Sequence, residues 1–199
     1  QDKDFLYVSA ILYDSEPDKI IIESLEQDFD SQSSDVFAIM LDTFNDDKSG
    51  YAFLFNPVGA IKDMYINNDG TSLNRAWEGI VYPKTSIHDY GWELELAFPL
   101  TSLRFNPSDG EQDWGINFLR RIRRKREDLY WSPIEPFEKL ISVSKGGTLK
   151  GLRDIQPGRN LQVKPFGIGN RISAEEKTNN TDVGLDIKYS ITPSLTLDA

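Results

Sequence analysis

The sequence predicts an all-β fold: an antiparallel β-sandwich with a second strand-rich segment appended to it. Three observations carry this. Residues 92–98 alternate, with Trp92, Leu94, Leu96 and Phe98 on one face and Glu93, Glu95 and Ala97 on the other, the period of a half-buried strand. A second strand opens at Trp114 after a polar turn region at 106–113 that contains Pro107 and Gly110, and two long strands joined in this way are sandwich material. No segment carries the 3.6-residue apolar period of an amphipathic helix.

Taken in order, residues 5–13 form an apolar run with Val, Ile and Tyr, closed by Asp14-Ser15-Glu16-Pro17, and read as a strand. Residues 19–25 are a second short apolar run, and 27–34 a polar loop of Asp and Ser. Residues 36–44 are apolar on both faces apart from Asp42, which predicts a strand central to its sheet. Residues 45–50 turn and 51–55 return as the partner of a hairpin. Asn56-Pro57-Val58-Gly59 makes the next corner, because Pro fixes φ and Gly accepts a positive one. Residues 64–67 and 76–82 are further strand candidates. Residues 100–105 connect the alternating strand to the next. After Gly151 the composition shifts: 154–160, with Pro157-Gly158, read as a linker, and 161–173, 181–191 and 194–199 alternate. Val183, Leu185, Ile187, Tyr189 and Ile191 face one way, and Gly184, Asp186, Lys188 and Ser190 the other. A transmembrane barrel strand and a soluble strand both give this pattern.

A chain of 199 residues suffices for one well-buried domain and an appendage. Hydrophobic residues at 39% and aromatics at 12% argue for a folded protein and against disorder. The net charge of -10 argues against nucleic acid as a partner, since phosphates are repelled outside a local basic patch. With no cysteine there is no disulfide framework and no thiolate metal site. No apolar run is long enough for a membrane helix, and no signal peptide is present.

Several short segments, in their order and spacing, carry a resemblance. They are Leu6-Tyr7-Val8 with Tyr13-Asp14, Asp42-Thr43-Phe44-Asn45-Asp46 with Gly50-Tyr51, Asn56-Pro57-Val58-Gly59, Gly91-Trp92, Trp114-Gly115-Ile116-Asn117, Trp131-Ser132-Pro133 and Leu149-Lys150-Gly151-Leu152. Together they resemble the family 9 carbohydrate-binding-module-like domain at the front of a class of bacterial outer-membrane proteins whose remaining sequence is a barrel of unknown function. The family pattern starts earlier, with an Ile-Asp-Gly segment and one or two strands, so the resemblance implies that the N-terminal part of the domain is missing. It further implies a sandwich over 1–153, a linker over 154–160 and the start of an outer-membrane β-barrel over 161–199. The expected location is the outer membrane, with the sandwich in the periplasm. The implied partners are a glycan or oligosaccharide, the outer membrane through the barrel, and proteins of an outer-membrane complex. The implied role is non-catalytic glycan recognition linked to polysaccharide uptake or catabolism. A competing expectation is an assembly or gating module that docks onto such a complex. A sister group of the same sandwich binds haem, but one histidine with Met40 and Met64 is a poor ligand set for it.

The candidate binding residues begin with aromatics, whose faces stack on the C–H faces of pyranose rings. Trp77, Tyr130 and Trp131 stand beside polar residues at strand ends, whereas Trp92 shares a face with Leu94, Leu96 and Phe98 and is assigned to the core. The alternative is that all four tryptophans fill the core. Asn117, Arg121 and Arg123 are the candidates for reaching sugar hydroxyls. Family members that bind sugar clamp a terminal residue between two Trp rings.

The segment Asn45-Asp46-Asp47-Lys48-Ser49-Gly50 resembles the first half of a calcium loop, although its twelfth position is Asn56 and not a bidentate Glu. A polar hairpin turn is the competing reading. A structural calcium, if held, takes Asp14, Asp42, Asn45 and Asp47 as ligands. The basic run 120–126 places Arg121, Arg123 and Lys125 on one strand face and Arg120, Ile122, Arg124 and Arg126 on the other. It suits an anionic sugar, lipid phosphates or an acidic partner, or else an edge strand protected by charge. Catalysis has only family association with glycosidases behind it. His88 is alone, read as lying in a loop, and Glu93 and Glu95 sit roughly 7 Å apart on one strand face.

Overall fold

The alternating and doubly apolar runs become two packed antiparallel sheets in the computed structural model, which describes residues 1–108, 110–157, 161–173, 177–192 and 195–198. The smaller sheet holds β1 (Phe5–Tyr13), β7 (Gly91–Pro99) and β6 (Tyr82–His88), in the order β1-β7-β6. The larger holds β10 (Gly147–Leu152), β8 (Gln112–Ile122), β2 (Val36–Asp42), β3 (Gly50–Phe55), β4 (Ile61–Asn67) and β5 (Ser72–Asn74), in that order, with β9 (Glu127–Tyr130) also paired to β8. The β8 edge facing away from β2 is thus shared, by β10 over 112–116 and by β9 over 119–122.

The core is double. Between the sheets, Leu6 and Leu12 of β1 and Trp92, Leu94, Leu96 and Phe98 of β7 meet Phe37, Ile39, Leu41, Phe53, Trp114 and Ile116. On the outer face of the larger sheet, Ala38, Met40, Ala52, Met64 and Leu119 are covered by Phe29 from the 27–34 loop and by Leu140 and Val143 from the segment after β9. β2 and β3 are buried at every position for this reason, and a strand with two buried faces needs apolar residues at both parities. Trp92 and Trp114 lie in the core, as do both methionines.

The apolar run 19–25 forms no strand: a 3-10 turn at Pro17–Lys19 leads into an unpaired extended stretch. Its backbone is satisfied from loops: Ile21 O accepts from Asp35 N at 2.9 Å, Glu23 N donates to Ser34 Oγ at 3.0 Å, and Ser24 O accepts from Asn56 Nδ2 at 2.7 Å. Residues 76–82 are also irregular up to Tyr82, where β6 begins. Trp77 and Val81 reach the core individually instead of by alternation. His88 closes β6 and does not lie in a loop. Nor is the basic run a single edge strand. β8 ends at Ile122, turns through Arg123–Lys125, and reverses at Arg126 (φ 55) into β9.

β11 (Leu161–Ser173), β12 (Lys177–Thr192) and β13 (Leu195–Asp198) form a separate antiparallel sheet. β11 has the predicted bounds, and β12 contains and exceeds 181–191. Residues 158–160 of the expected linker, and residues 194 and 199 of the last expected segment, lie outside the described residues.

The hairpin between β6 and β7 meets β1 at Gly91, whose φ of +137 and neighbours leave no room for a side chain. A Cβ there would stand 2.1 Å from Leu12 O. Gly91→Ala is expected to cost about 2 kcal/mol or more, because backbone must move to admit it. Urea denaturation of the variant and the parent chain measures this.

Candidate functional site

Alternation along β8 directs Trp114, Ile116, Phe118 and Arg120 toward the space between the sheets, and Asn117, Leu119 and Arg121 to the other face. Arg120 is therefore a charged residue on an apolar strand face. Its cross-strand neighbour on β9 is Leu129, while Leu119 opposes Tyr130 and Arg121 opposes Asp128. Beyond β9 the pairing gains one more bond, from Trp131 N to Phe118 O at 3.1 Å, and the Trp131 ring meets Phe118 edge-on at 5.9 Å and 73°.

Two features hold Trp131 in place. Buried Asn117 clamps the next residue, its Oδ1 accepting from Ser132 N at 2.8 Å and its Nδ2 donating to Ser132 O at 3.3 Å. Gly147 is the seat of the indole, since a Cβ there would stand 2.3 Å from the ring. The ring still leaves Trp131 59% exposed. It borders a cleft of about 290 Å³ where the β1 edge stands off the larger sheet, lined by Ala10 to Leu12, Phe37, Phe118, Arg120, and Leu129 to Trp131.

Charge is concentrated at the inner end of this cleft. Arg120 Nη2 donates to Tyr13 O at 2.6 Å and lies 4.0 Å from Asp14. Asp14 itself is gripped by Arg124 through both oxygens, at 2.7 and 2.5 Å. That pair, with the Glu16 N–H, holds the Asp14 carboxyl down at about 2. Burial pushes the Arg120 guanidinium pKa down, and burial raises that of Asp35, whose Oδ1 accepts from Arg123 N at 2.8 Å.

The six expected binding residues separate. Trp131 and Tyr130 border the cleft, although Tyr130 packs mainly on the outer cluster. Asn117 acts from behind, through Ser132. Arg121 is committed to a forked pair with Asp128 at 2.7 and 2.6 Å and to Ser31 O at 2.8 Å. Arg123 opens the turn by its backbone. Trp77 packs on Tyr51 at 4.8 Å and Phe53 at 5.7 Å, over β3, and does not face Trp131 as a second clamp ring. Arg120, read from sequence only as part of the basic run and not among these six, also lines the cleft, and its separate signal was a charge in the parity of Trp114, Ile116 and Phe118.

The expected calcium ligands are not brought together. Asp14 stands beside Arg124 near the Val36 end of β2, and Asp42 occupies the opposite end of that strand, paired with Gly115. Asp42 accepts from Asp47 N at 2.9 Å and Asp46 N at 3.3 Å. Burial pushes its carboxyl up, and these N–H groups partly offset the rise. Asp46 accepts from Lys48 N and Ser49 N, both at 2.8 Å, and Asn45 and Asp47 take positive φ. The turn uses its carboxylates on its own backbone. No cluster of three or more His, Cys, Asp or Glu suited to a metal occurs among the described residues. Glu93 accepts from Tyr90 Oη at 3.1 Å and lies 3.1 Å from His88 Nε2, on the outward parity of β7 that it shares with Glu95.

No protein-family model and no curated protein matches the chain. Solved structures do. A Bacteroides uniformis protein assigned to carbohydrate binding aligns at TM-score 0.55 with 17% identity, over 69% of this chain and 68% of that one. A family 9 carbohydrate-binding module from Caldicellulosiruptor kristjanssonii in complex with cellotriose aligns at 0.52 with 17% identity, over 80% and 73%. Its complex with glucose gives 0.52 and 16%, over 80% and 75%. The likeness is one of fold: an all-β antiparallel sandwich similar to that of family 9 modules.

Two carboxyls give opposite pH signatures. Asp14, held near 2 against an ordinary 3.8, contributes stability above pH 4 that is lost as pH falls toward 2, roughly 2 kcal/mol. Urea midpoints at pH 5 and 2.5 should therefore converge in Asp14→Asn relative to the parent. Asp63, which accepts the Gly79 N–H beside Trp77, is raised by burial to about 6. Its ionisation costs stability above that value, so the gain on acidification from pH 7.5 to 5 should shrink in Asp63→Asn, measured by the same midpoints.

Proposed function

We propose that the sandwich is a non-catalytic glycan-binding module whose ligand stacks on Trp131. The observation that carries this is an indole 59% exposed yet fixed on three sides, by the Phe118 ring, the Gly147 seat and the Asn117 clamp on Ser132, at the mouth of a cleft. An exposed aromatic face meets the C–H face of a pyranose at small entropic cost when it is already immobile. The folds of the glucose and cellotriose complexes support the same reading.

The module belongs, in this proposal, to an outer-membrane protein engaged in polysaccharide uptake or catabolism, with the sandwich on the periplasmic side and 161–199 opening the barrel. Support comes from the appended sheet, where Val163, Leu185 and Val183 are 49%, 52% and 82% exposed. The pairs Pro165↔Leu185 and Gly167↔Val183 fall on the same face in register. Apolar residues turned outward on alternating strands suit a lipid-facing surface.

Isothermal titration against neutral and acidic oligosaccharides tests the binding reading. Trp131→Ala should lose at least tenfold in affinity, and Gly147→Ala should lose several-fold by displacing the ring, each with a melting temperature within a few degrees of the parent. A folded parent chain that binds no member of the panel, or binding untouched by both substitutions, sinks the proposal.

A further inference from the structure

We infer that the cleft beside Trp131 selects acidic sugars, the Arg120 guanidinium taking the carboxylate of a uronic-acid residue whose ring lies on the indole. This rests on the glycan reading above and adds the ligand class. The cleft walls are apolar, with Phe37, Phe118 and Leu129, and among the described residues no carboxylate or amide side chain lines it. A neutral pyranose is recognised by such groups, which both donate to and accept from its hydroxyls. Arg120 offers only donors, in a planar fork that matches a carboxylate.

The charge of Arg120 is available. Of its five N–H donors, the described residues engage one, through Tyr13 O at 2.6 Å. Asp14 is nearby at 4.0 Å, but Arg124 takes both of its oxygens and the Glu16 N–H takes one of them again at 2.8 Å. The other arginine of this strand with an assigned role, Arg121, is spent on Asp128 and Ser31. A partly buried cation facing an apolar cleft is a site where an anion gains more than in water.

Trp131 and Arg120 open on one cleft. Arg120 and Phe118 are two residues apart on one face of β8, roughly 7 Å, and Trp131 stands against Phe118. A pyranose laid on the indole thus directs a C5 carboxylate along the strand toward the guanidinium. The Trp131 contact is indifferent to charge, so selectivity falls on Arg120.

The test is titration of the 199-residue chain with trisaccharides of galacturonate, glucuronate and mannuronate, each beside its methyl ester and beside cellotriose. At low salt at least one uronide should bind tenfold or more tighter than its ester and than cellotriose, and 0.5 M NaCl should remove most of that advantage. Arg120→Gln should abolish the preference, and Arg120→Lys should keep part of it. The ester comparison needs no protein variant, so a misfolded Arg120→Gln leaves the result decisive. Neutral sugars bound as tightly as every uronide, with loss in Trp131→Ala, would overturn the acidic selectivity and leave the glycan reading standing. No binding of either class would overturn both.

Discussion

Burial of the larger sheet on both faces is the constraint from which the rest follows. β2 and β3 have no solvent face, so one cluster must close each side. The smaller sheet closes the inner side with Trp92 and Phe98, and two long loops close the outer side with Phe29, Leu140 and Val143. Buried apolar area at about 25 cal/mol per Å² makes these clusters the main stabilising term. The loops are then structural elements, which explains their many fixed hydrogen bonds, such as Ser144 N and Oγ to Asp69 at 2.9 and 2.7 Å.

The same arrangement leaves one place where coverage stops. The smaller sheet has three strands, and a cleft opens between its β1 edge and the part of β8 that pairs with β9. Side chains that continue the inner parity of β8 past this point emerge into the cleft. Phe118 and Arg120 are such residues, and Arg120 is tolerated there because Tyr13 O and the Asp14 region offset its charge. The ion network fastening the β1 end to the β8 turn thus adjoins the site through Arg120.

Much of the sandwich was legible because its signals are local. Period-two alternation gave 92–98, a doubly apolar run gave β2, the turn after it gave β3 as a hairpin partner, and Pro with Gly gave the 56–59 corner. What was not legible depends on partners distant in sequence. Residues 19–25 and 76–82 are as apolar as a short strand, but their side chains insert singly, and only the sheet order reveals that no neighbour pairs with them. The Trp77 and Trp131 indoles look alike in sequence, and they differ because Tyr51 and Phe53 cover one while the other, against Phe118 and Gly147, stays 59% exposed. The turn reading of 45–50 likewise depends on the fold: Asp42 and Asp46 accept backbone N–H groups of that turn, and Asp14 lies at the far end of β2.

Preorganisation connects the fold to the chemistry. An exposed tryptophan on a free loop loses side-chain freedom when it stacks, and that loss, about 0.5–1.5 kcal/mol for an immobilised side chain, subtracts from affinity. Trp131 has already met this cost through folding. Asn117 is fully buried, and its amide bonds at 2.8 and 3.3 Å fix the backbone after the ring, while Gly147 admits the indole over a strand that any other residue would crowd. The energy for this comes from β8, whose pairing on both sides, with β2 and with β9 and β10, holds both the Asn117 side chain and the Phe118 carbonyl in place. Affinity at the cleft is accordingly set as much by what stands behind the indole as by what the indole touches.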